Sequence, residues 1–497
     1  MNSPSILFVI CDQLNATVPG CYGGPVDTPN IDRLAGEGVR FTDAVTPCPM
    51  CSPTRASICT GQYPRTHGML HNMVNLLPSH CPGCETLETE QGITDADVTL
   101  GRLLHESGYH THHYGTWHLA GEDISHYPDQ FRMHVEYPEA VADTFEQARQ
   151  RPDDEWMEQG TWALPVEVSD AVRDAVEKAD DFWTEYYWAR DISRMGRLEM
   201  PLEEVFDVQA TARAVNRLQE VDGEPFMITC SMEFPHNPSV CPSPYYEMFE
   251  PDDIELPANI DACEKRFEDT MSRRVLTELG EAVYREFLRC YYGKVKLVDD
   301  QLGRLLDALE ATGQAENTIV IFTTDHGDFA GNHGMVLKIP PSLHDDLMNV
   351  PLIARYPAGL EPAVSDLPIS HIDLMPTLLD LTGHEVPDRV QGQSLVPYLH
   401  GDKAPDELRE YQFGEFGGGN PRRQREIDPD VPRHHMVRGD GYKYIVHPDG
   451  EEFLYDINAD PGEMKDLSDD PDLQEQKSHL QGLLEQWKAQ TPCAGSQ

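Results

Sequence analysis

Ser5-Ile6-Leu7-Phe8-Val9-Ile10-Cys11-Asp12 and, far downstream, Asn317-Thr318-Ile319-Val320-Ile321-Phe322-Thr323-Thr324-Asp325 share one pattern: an unbroken apolar or β-branched run closed by an aspartate. Runs of this length read as strands buried on both faces, the kind found in parallel sheets covered by helices. Helical spacing follows at Leu297–Thr312 and again at Asp373–Leu381, which has Pro376 in its first turn and Gly383 beyond its end. The alternation from Ser5 to about Gly383 predicts an α/β domain: a large, mixed but mostly parallel sheet sandwiched by helices. Ligands of such sheets sit at the carboxyl ends of the strands, so Asp12 and Asp325 are predicted to share one site.

After the turn-rich stretch His400–Pro405 the pattern changes to Met436–Arg438, Tyr442–Val446 and Phe453–Tyr455, followed by the helical Leu473–Lys488. This predicts a small C-terminal antiparallel sheet plus helix, with domains at 1–400 and 401–497. Between about Asp123 and Met200 periodicity weakens and aromatic residues gather (Trp156, Trp162, Trp183, Tyr186, Tyr187, Trp188), suggesting a specificity insertion over one face at 123–200.

The 497 residues are 39% hydrophobic and 25% charged, an ordinary globular composition, and no apolar run approaches the roughly 20 residues of a membrane helix. No membrane partner is expected. A formal net charge of −48 repels nucleic acid. The first residues lead directly into the Ser5 strand without a basic n-region, which sets the expectation of a cytoplasmic protein. Twelve cysteines show no small-scaffold spacing, so free thiols are expected, and Cys81-Pro-Gly-Cys84 has no second Cys-x-x-Cys to complete a zinc site.

The densest chemical signal is Cys51-Ser52-Pro53-Thr54-Arg55-Ala56-Ser57-Ile58-Cys59-Thr60-Gly61. It resembles the signature of the type I, formylglycine-dependent sulfatases of the alkaline phosphatase superfamily. The resemblance implies that a maturation enzyme oxidises Cys51 to formylglycine. The aldehyde hydrate carries two hydroxyls on one carbon: one attacks sulfur, and the other lets the covalent intermediate collapse by expelling sulfate. Arg55, one helical turn on, would hold the hydrate and the ester oxygens.

Further segments extend the likeness over most of the chain and imply the alkaline-phosphatase-like fold. Asp12-Gln13 and Asp325-His326 resemble the family's metal ligands, which with Cys51 would hold a divalent ion. Ca²⁺ is the family's usual choice, and the nitrogen of His326 brings Mn²⁺ or Mg²⁺ into consideration. Lys338, after Asp325-His326-Gly327-Asp328 and His333-Gly334, matches the lysine that contacts the transferred group. His236 in Phe234-Pro235-His236-Asn237-Pro238 matches the histidine that serves the leaving oxygen. His118 in Tyr114-Gly115-Thr116-Trp117-His118-Leu119 matches the one that triggers sulfate release.

Thr116 stands where that family segment has lysine. Phosphonate monoester hydrolases share the cysteine-derived nucleophile and are similar here in Gln13, His326, Thr116 and Asn72, which keeps hydrolysis of phosphonate monoesters or phosphodiesters open as an alternative. A non-catalytic binder of sulfated glycans is a third reading. The expected substrate is a sulfate ester, with a sulfated saccharide favoured. A last expectation comes from charge alone: in a chain with 86 acidic and 38 basic residues, Arg422, Arg423, Arg425 and Arg433 cluster with His434 and His435 after Gly417–Gly419. They are read as a flexible basic loop that binds further anionic groups, with Arg422 and Arg423 as substrate contacts.

Overall fold

Strand β1 (Ser5–Asp12) lies at the centre of a seven-stranded sheet, and the order of its neighbours explains how distant residues converge. The computed structural model describes residues 3–72, 93, 97–119, 165–178, 192–221, 223–338, 342–402, 408–417 and 433–494. The sheet strands are β1, β2 (Val39–Phe41), β3 (His110–Gly115), β4 (Phe226–Pro235), β5 (Thr318–Thr324), β6 (Leu352–Arg355) and β7 (Ala363–Ser365), in the order β7-β2-β6-β5-β1-β4-β3. Only β6 runs against its neighbours; β3, β4, β1 and β5 are mutually parallel.

The apolar alternation of the strands is resolved into two cores. Leu7, Val9 and Cys11 of β1 face one layer with Ile228, Val320 and Phe322, covered by α3 (Phe206–Glu220) and α4 (Glu281–Ala311). Ile6, Phe8 and Ile10 face the other with Ile319 and Ile321, covered by α5 (Leu374–Leu381). On the same side as α5, α2 (Cys51–Thr60) buries Ile58. Three of the smaller described α-helices carry proline at their first or second residue, α1 (Pro29–Glu37) among them, where a missing N–H costs nothing. The sheet is therefore large, mixed and mostly parallel between helical layers, as the alternation predicts.

The second sheet is antiparallel, β8 (Gln412–Phe416), β9 (His434–Gly439), β10 (Tyr442–Val446) and β11 (Glu452–Asp456), closed by α6 (Gln474–Gln490). Trp487 of α6 stacks on Phe413 with centroids 5.1 Å apart, and Leu480 and Leu484 bury beside Val437, Tyr444 and Leu454.

Several expectations are revised. Helix α4 begins at Glu281, well before Leu297; its first half is buried nearly all round and carries Glu286 and Lys294 inside, which masks its apolar period. Strand β8 escapes a sequence reading. Arg433 and His435 are buried at and within the start of β9 rather than carried on a loop, drawn in by the fully buried Glu415 of β8; Arg433 Nη1 stands 3.3 Å from its Oε2. Within the expected insertion, Val166–Val168 pairs with Gly196–Leu198, which pairs on its other side with Val240–Pro242. Trp156, Trp162, Trp183, Tyr186, Tyr187, Trp188, the Cys81 and Cys84 pair, and Arg422, Arg423 and Arg425 lie outside the described residues. Among the described residues no helix is long and apolar enough to cross a membrane.

Candidate active site

Register builds the site. Cys11 of β1 pairs with Thr324 of β5, so the next residues, Asp12 and Asp325, emerge side by side. On the other flank Asp12 is in register with Pro235 of β4, and Gly115 of β3 with Ser231 of β4. Four adjacent parallel strands thus present Asp12-Gln13, Asp325-His326, His236 and Thr116-Trp117-His118 at one carboxyl edge.

Helix α2 points its first residue, Cys51, at this edge. Thr54 Oγ1 donates to the Cys48 carbonyl at 2.7 Å, tying the first turn to the preceding loop, and Gly61 ends the helix in the left-handed region (φ 65°), its N–H on Ser57 O at 2.9 Å. A helix N-terminus favours negative charge, which suits an anionic substrate.

The sequence-derived residues that are described do converge. Ligand atoms of Asp12, Cys51, Asp325 and His326 lie within 4.8 Å of one another, all buried. Lys338 Nζ stands 2.9 Å from Cys51 Sγ and 2.9 Å from His326 Nε2. Arg55 Nη2 is 3.1 Å from Asp12 Oδ2 and its Nε 2.9 Å from Asp325 Oδ2. Asn72 accepts from Ser52 N at 3.1 Å and places its Nδ2 3.6 Å from Cys51 Sγ. His118 and His236 both have Cys51 as a hydrogen-bonding neighbour.

Electrostatics follow from these contacts. Burial opposes ionisation of Cys51, but Lys338 and His326 draw its thiol well below the ordinary range. Burial and Cys51 push Asp12 up, yet His236, Lys338 and Arg55 hold it below the usual carboxylate range. Burial and Lys338 disfavour protonation of His236; Asp12 and Cys51 outweigh them and raise it to about 9.

The donor set fits a divalent cation. His326 Nδ1 donates to Gly327 O at 2.9 Å, so Nε2, 3.7 Å from Asp12 Oδ1 and from Asp325 Oδ1, is the nitrogen that the neutral ring would offer a cation. Gln13 donates through Nε2 to Asp328, while its Oε1 is buried without a hydrogen-bond partner. Such an orphaned acceptor beside two buried aspartates is what a hard cation would satisfy. Gln13 and His118 also sit in the left-handed region (φ 68° and 55°), a conformation costing about 1–2 kcal/mol for residues with a Cβ and concentrated at functional sites.

Sequence reasoning misses several participants. Ser231 Oγ accepts from Arg55 Nη1 at 2.8 Å. Glu233 accepts from the Thr116 hydroxyl, and Asp328 from Gln13. Tyr291 of α4 donates to Gln13 O at 2.7 Å. Ser231 and Glu233 precede the Pro-His segment on one strand and were findable from it; Asp328 and Tyr291 carry no local signal.

Comparison with known proteins gives a consistent result. A family model described as sulfatase matches residues 4–384, and one described as N-sulphoglucosamine sulphohydrolase, C-terminal, matches residues 331–490. The uncharacterized sulfatase YidJ of Escherichia coli is 32% identical, covering 97% of this chain and 87% of its own. An N-acetylglucosamine-6-O-sulfatase of Bacteroides thetaiotaomicron is 27% identical, covering 98% and 86%. The solved phosphonate monoester hydrolase of Agrobacterium radiobacter shares the fold, with a TM-score of 0.72 at 23% identity over 98% of this chain and 96% of that one.

Proposed function

The chain belongs to the sulfatase family and is a sulfuric ester hydrolase, and from that premise we propose that it cleaves sulfate esters of saccharides with a nucleophile made from Cys51. The observation carrying this reading is the convergence of Cys51, at the first turn of α2, with two buried aspartates, Arg55, Lys338 and two histidines. The saccharide is favoured by the likeness to an N-acetylglucosamine-6-O-sulfatase.

In this reading a maturation enzyme converts Cys51 to formylglycine, and its hydrate supplies the attacking hydroxyl. Asp12, Gln13, Asp325 and His326 would hold a divalent ion, Ca²⁺ first and Mn²⁺ or Mg²⁺ as alternatives; when bound it would lower the pKa of the hydrate and draw on a sulfate oxygen. Arg55 pairs with both aspartates and keeps them aligned. Lys338 neutralises charge on the transferred group, and Asn72 orients the residue at 51. His236 gives a proton to the departing alcohol oxygen. His118 then takes the proton of the second hydroxyl, so that sulfate leaves as the aldehyde re-forms.

A second reading, hydrolysis of phosphonate monoesters or phosphodiesters, is favoured by one observation. Thr116 presents a neutral hydroxyl engaged by Glu233, so the site has one positive charge fewer at that position than a lysine would bring. Comparison of kcat/KM for sulfated saccharides, an aryl sulfate and a phosphonate monoester on Cys51-converted enzyme separates the two. A sulfated saccharide should lead; a phosphonate preference overturns the sulfatase reading. Mass spectrometry of the peptide spanning residue 51 from the native host should find the aldehyde, and Cys51→Ala should fold but not turn over.

A further inference from the structure

The segment Glu233–Pro238, which carries His236, is gripped from two sides by the buried polar side chains of Lys294 and Asp207, which touch no reacting atom. Lys294, on α4 and 1% exposed, donates from Nζ to the carbonyls of His236 at 2.9 Å and Pro238 at 3.1 Å, and lies 5.5 Å from the Phe234 ring centroid. Asp207, on α3 and also 1% exposed, accepts from the backbone N–H of Glu233 at 2.6 Å and of Phe234 at 3.1 Å. The His236 ring is tied to the same backbone, its Nδ1 on Asn237 O at 2.6 Å, which leaves Nε2 to face the pocket.

Burying an ammonium and a carboxylate costs several kcal/mol each before their contacts are counted. The neighbours of Lys294 on α4, Tyr291, Val295 and Val298, are buried members of the hydrophobic core. A methionine would be the cheaper residue for stability alone, but it would take the ammonium donor from the His236 carbonyl and leave Pro238 O with the Val240 N–H alone, at 2.8 Å.

We propose that Lys294 is a positioning residue for His236, acting with Asp207 to hold the imidazole where a proton must reach the departing alcohol oxygen. Because the ring is bonded to Asn237 O, any rotation of 236–238 carries Nε2 with it. Proton transfer tolerates little displacement: a donor must stand within about 2.6–3.2 Å of its acceptor. The need for the proton grows with the basicity of the leaving alcohol, so a misplaced His236 harms saccharide sulfates more than nitrophenyl sulfate.

The inference rests on the reading of His236 as the group that serves the leaving oxygen, and the test separates the two. His236→Ala, Lys294→Met, Lys294→Gln and Asp207→Asn are compared with the parent on a series of sulfate esters of rising leaving-group pKa, with folding followed by near-ultraviolet circular dichroism and Tm. For Lys294→Met, kcat should fall with KM little changed, by on the order of tenfold more for the alkyl than for the nitrophenyl ester. Lys294→Gln, which keeps an uncharged N–H donor group, and Asp207→Asn, which keeps one acceptor oxygen, should show the same slope at smaller amplitude. If His236→Ala loses activity equally across the series, the reading of His236 fails. If His236→Ala shows the slope while the folded Lys294 and Asp207 variants lose activity equally for all esters, or lose none, the positioning role of Lys294 is overturned.

Discussion

Nε of Arg55 stands 2.9 Å from Oδ2 of Asp325, a buried charge pair that joins α2, one turn beyond Cys51, to the end of β5, while Nη2 of the same guanidinium reaches Asp12 at the end of β1. Burial and the two aspartates act in opposite directions on Arg55, and the carboxylates win, raising it above its ordinary value. The arginine is the protein's own compensation for two carboxylates in one buried site.

Arg55→Met should therefore destabilise the protein by about 3–5 kcal/mol in chelator, the range for removing one partner of a buried pair. A divalent cation in the same place would supply the missing charge. Millimolar Ca²⁺ should raise the Tm of the variant more than that of the parent; equal shifts in both would mean that the cation does not sit against Asp12 and Asp325.

Gln13 Oε1 is buried without a hydrogen-bond partner while its Nε2 is held by Asp328. Gln13→Ala should keep the fold and weaken Ca²⁺ and Mn²⁺ binding by about tenfold or more in titration calorimetry. Binding as tight as the parent's removes Gln13 from the ligand set.

Thr116 and Glu233 set the charge of the site's rim through their hydrogen bond. Thr116→Lys alone should bring little gain, because Glu233 would pair with the new ammonium. Combined with Glu233→Gln it should lower KM for an aryl sulfate by about fivefold, the worth of replacing a neutral contact by a charged one. A double variant no better than the single one would show that position 116 does not face the anion.

His333 makes stability depend on alkaline pH. Burial disfavours its protonation, but Asp346, 3.3 Å away, and the Ala262 carbonyl raise it to about 9. A folded-state value above the unfolded one means that the stabilisation is complete below about pH 6.5 and is lost as pH rises through about 9. The amount is on the order of 3 kcal/mol. Denaturant titrations at pH 6 and pH 9.5 should differ by that much in the parent and by clearly less in His333→Asn; parallel losses would assign the alkaline lability elsewhere.

Much of the site was legible because its carriers are local. A strand closed by an acid is visible at Asp12 and Asp325, and Cys51 with Arg55 four residues on is a one-turn relation within a single helix. The Pro-His segment and the Trp-His segment each announce one histidine. The residues that support these groups were not legible. Lys294 and Tyr291 lie on a stretch of α4 that is buried on every side, where neither period nor charge separates a functional residue from a packing one. Arg433 and His435 read as members of an exposed basic run, yet Glu415, on a strand with no clear alternation, brings them inside.

The sequence by itself determined the class of fold and the strands that end in acidic residues, because each depends on side-chain periodicity within a few residues, whereas Cys51 stands out only through the resemblance of the motif around it. Only the tertiary structure decided that β1 lies between β4 and β5, with Cys11 opposite Thr324 and Asp12 opposite Pro235. Those registers bring Asp12, Asp325 and the His236 segment together at one edge. They also let Arg55 serve both aspartates, Glu233 engage Thr116, and Lys294 reach the carbonyl of His236. Strand order and register depend on how both faces of the sheet are covered at once, a balance of burial over the whole domain that no single stretch of the chain records.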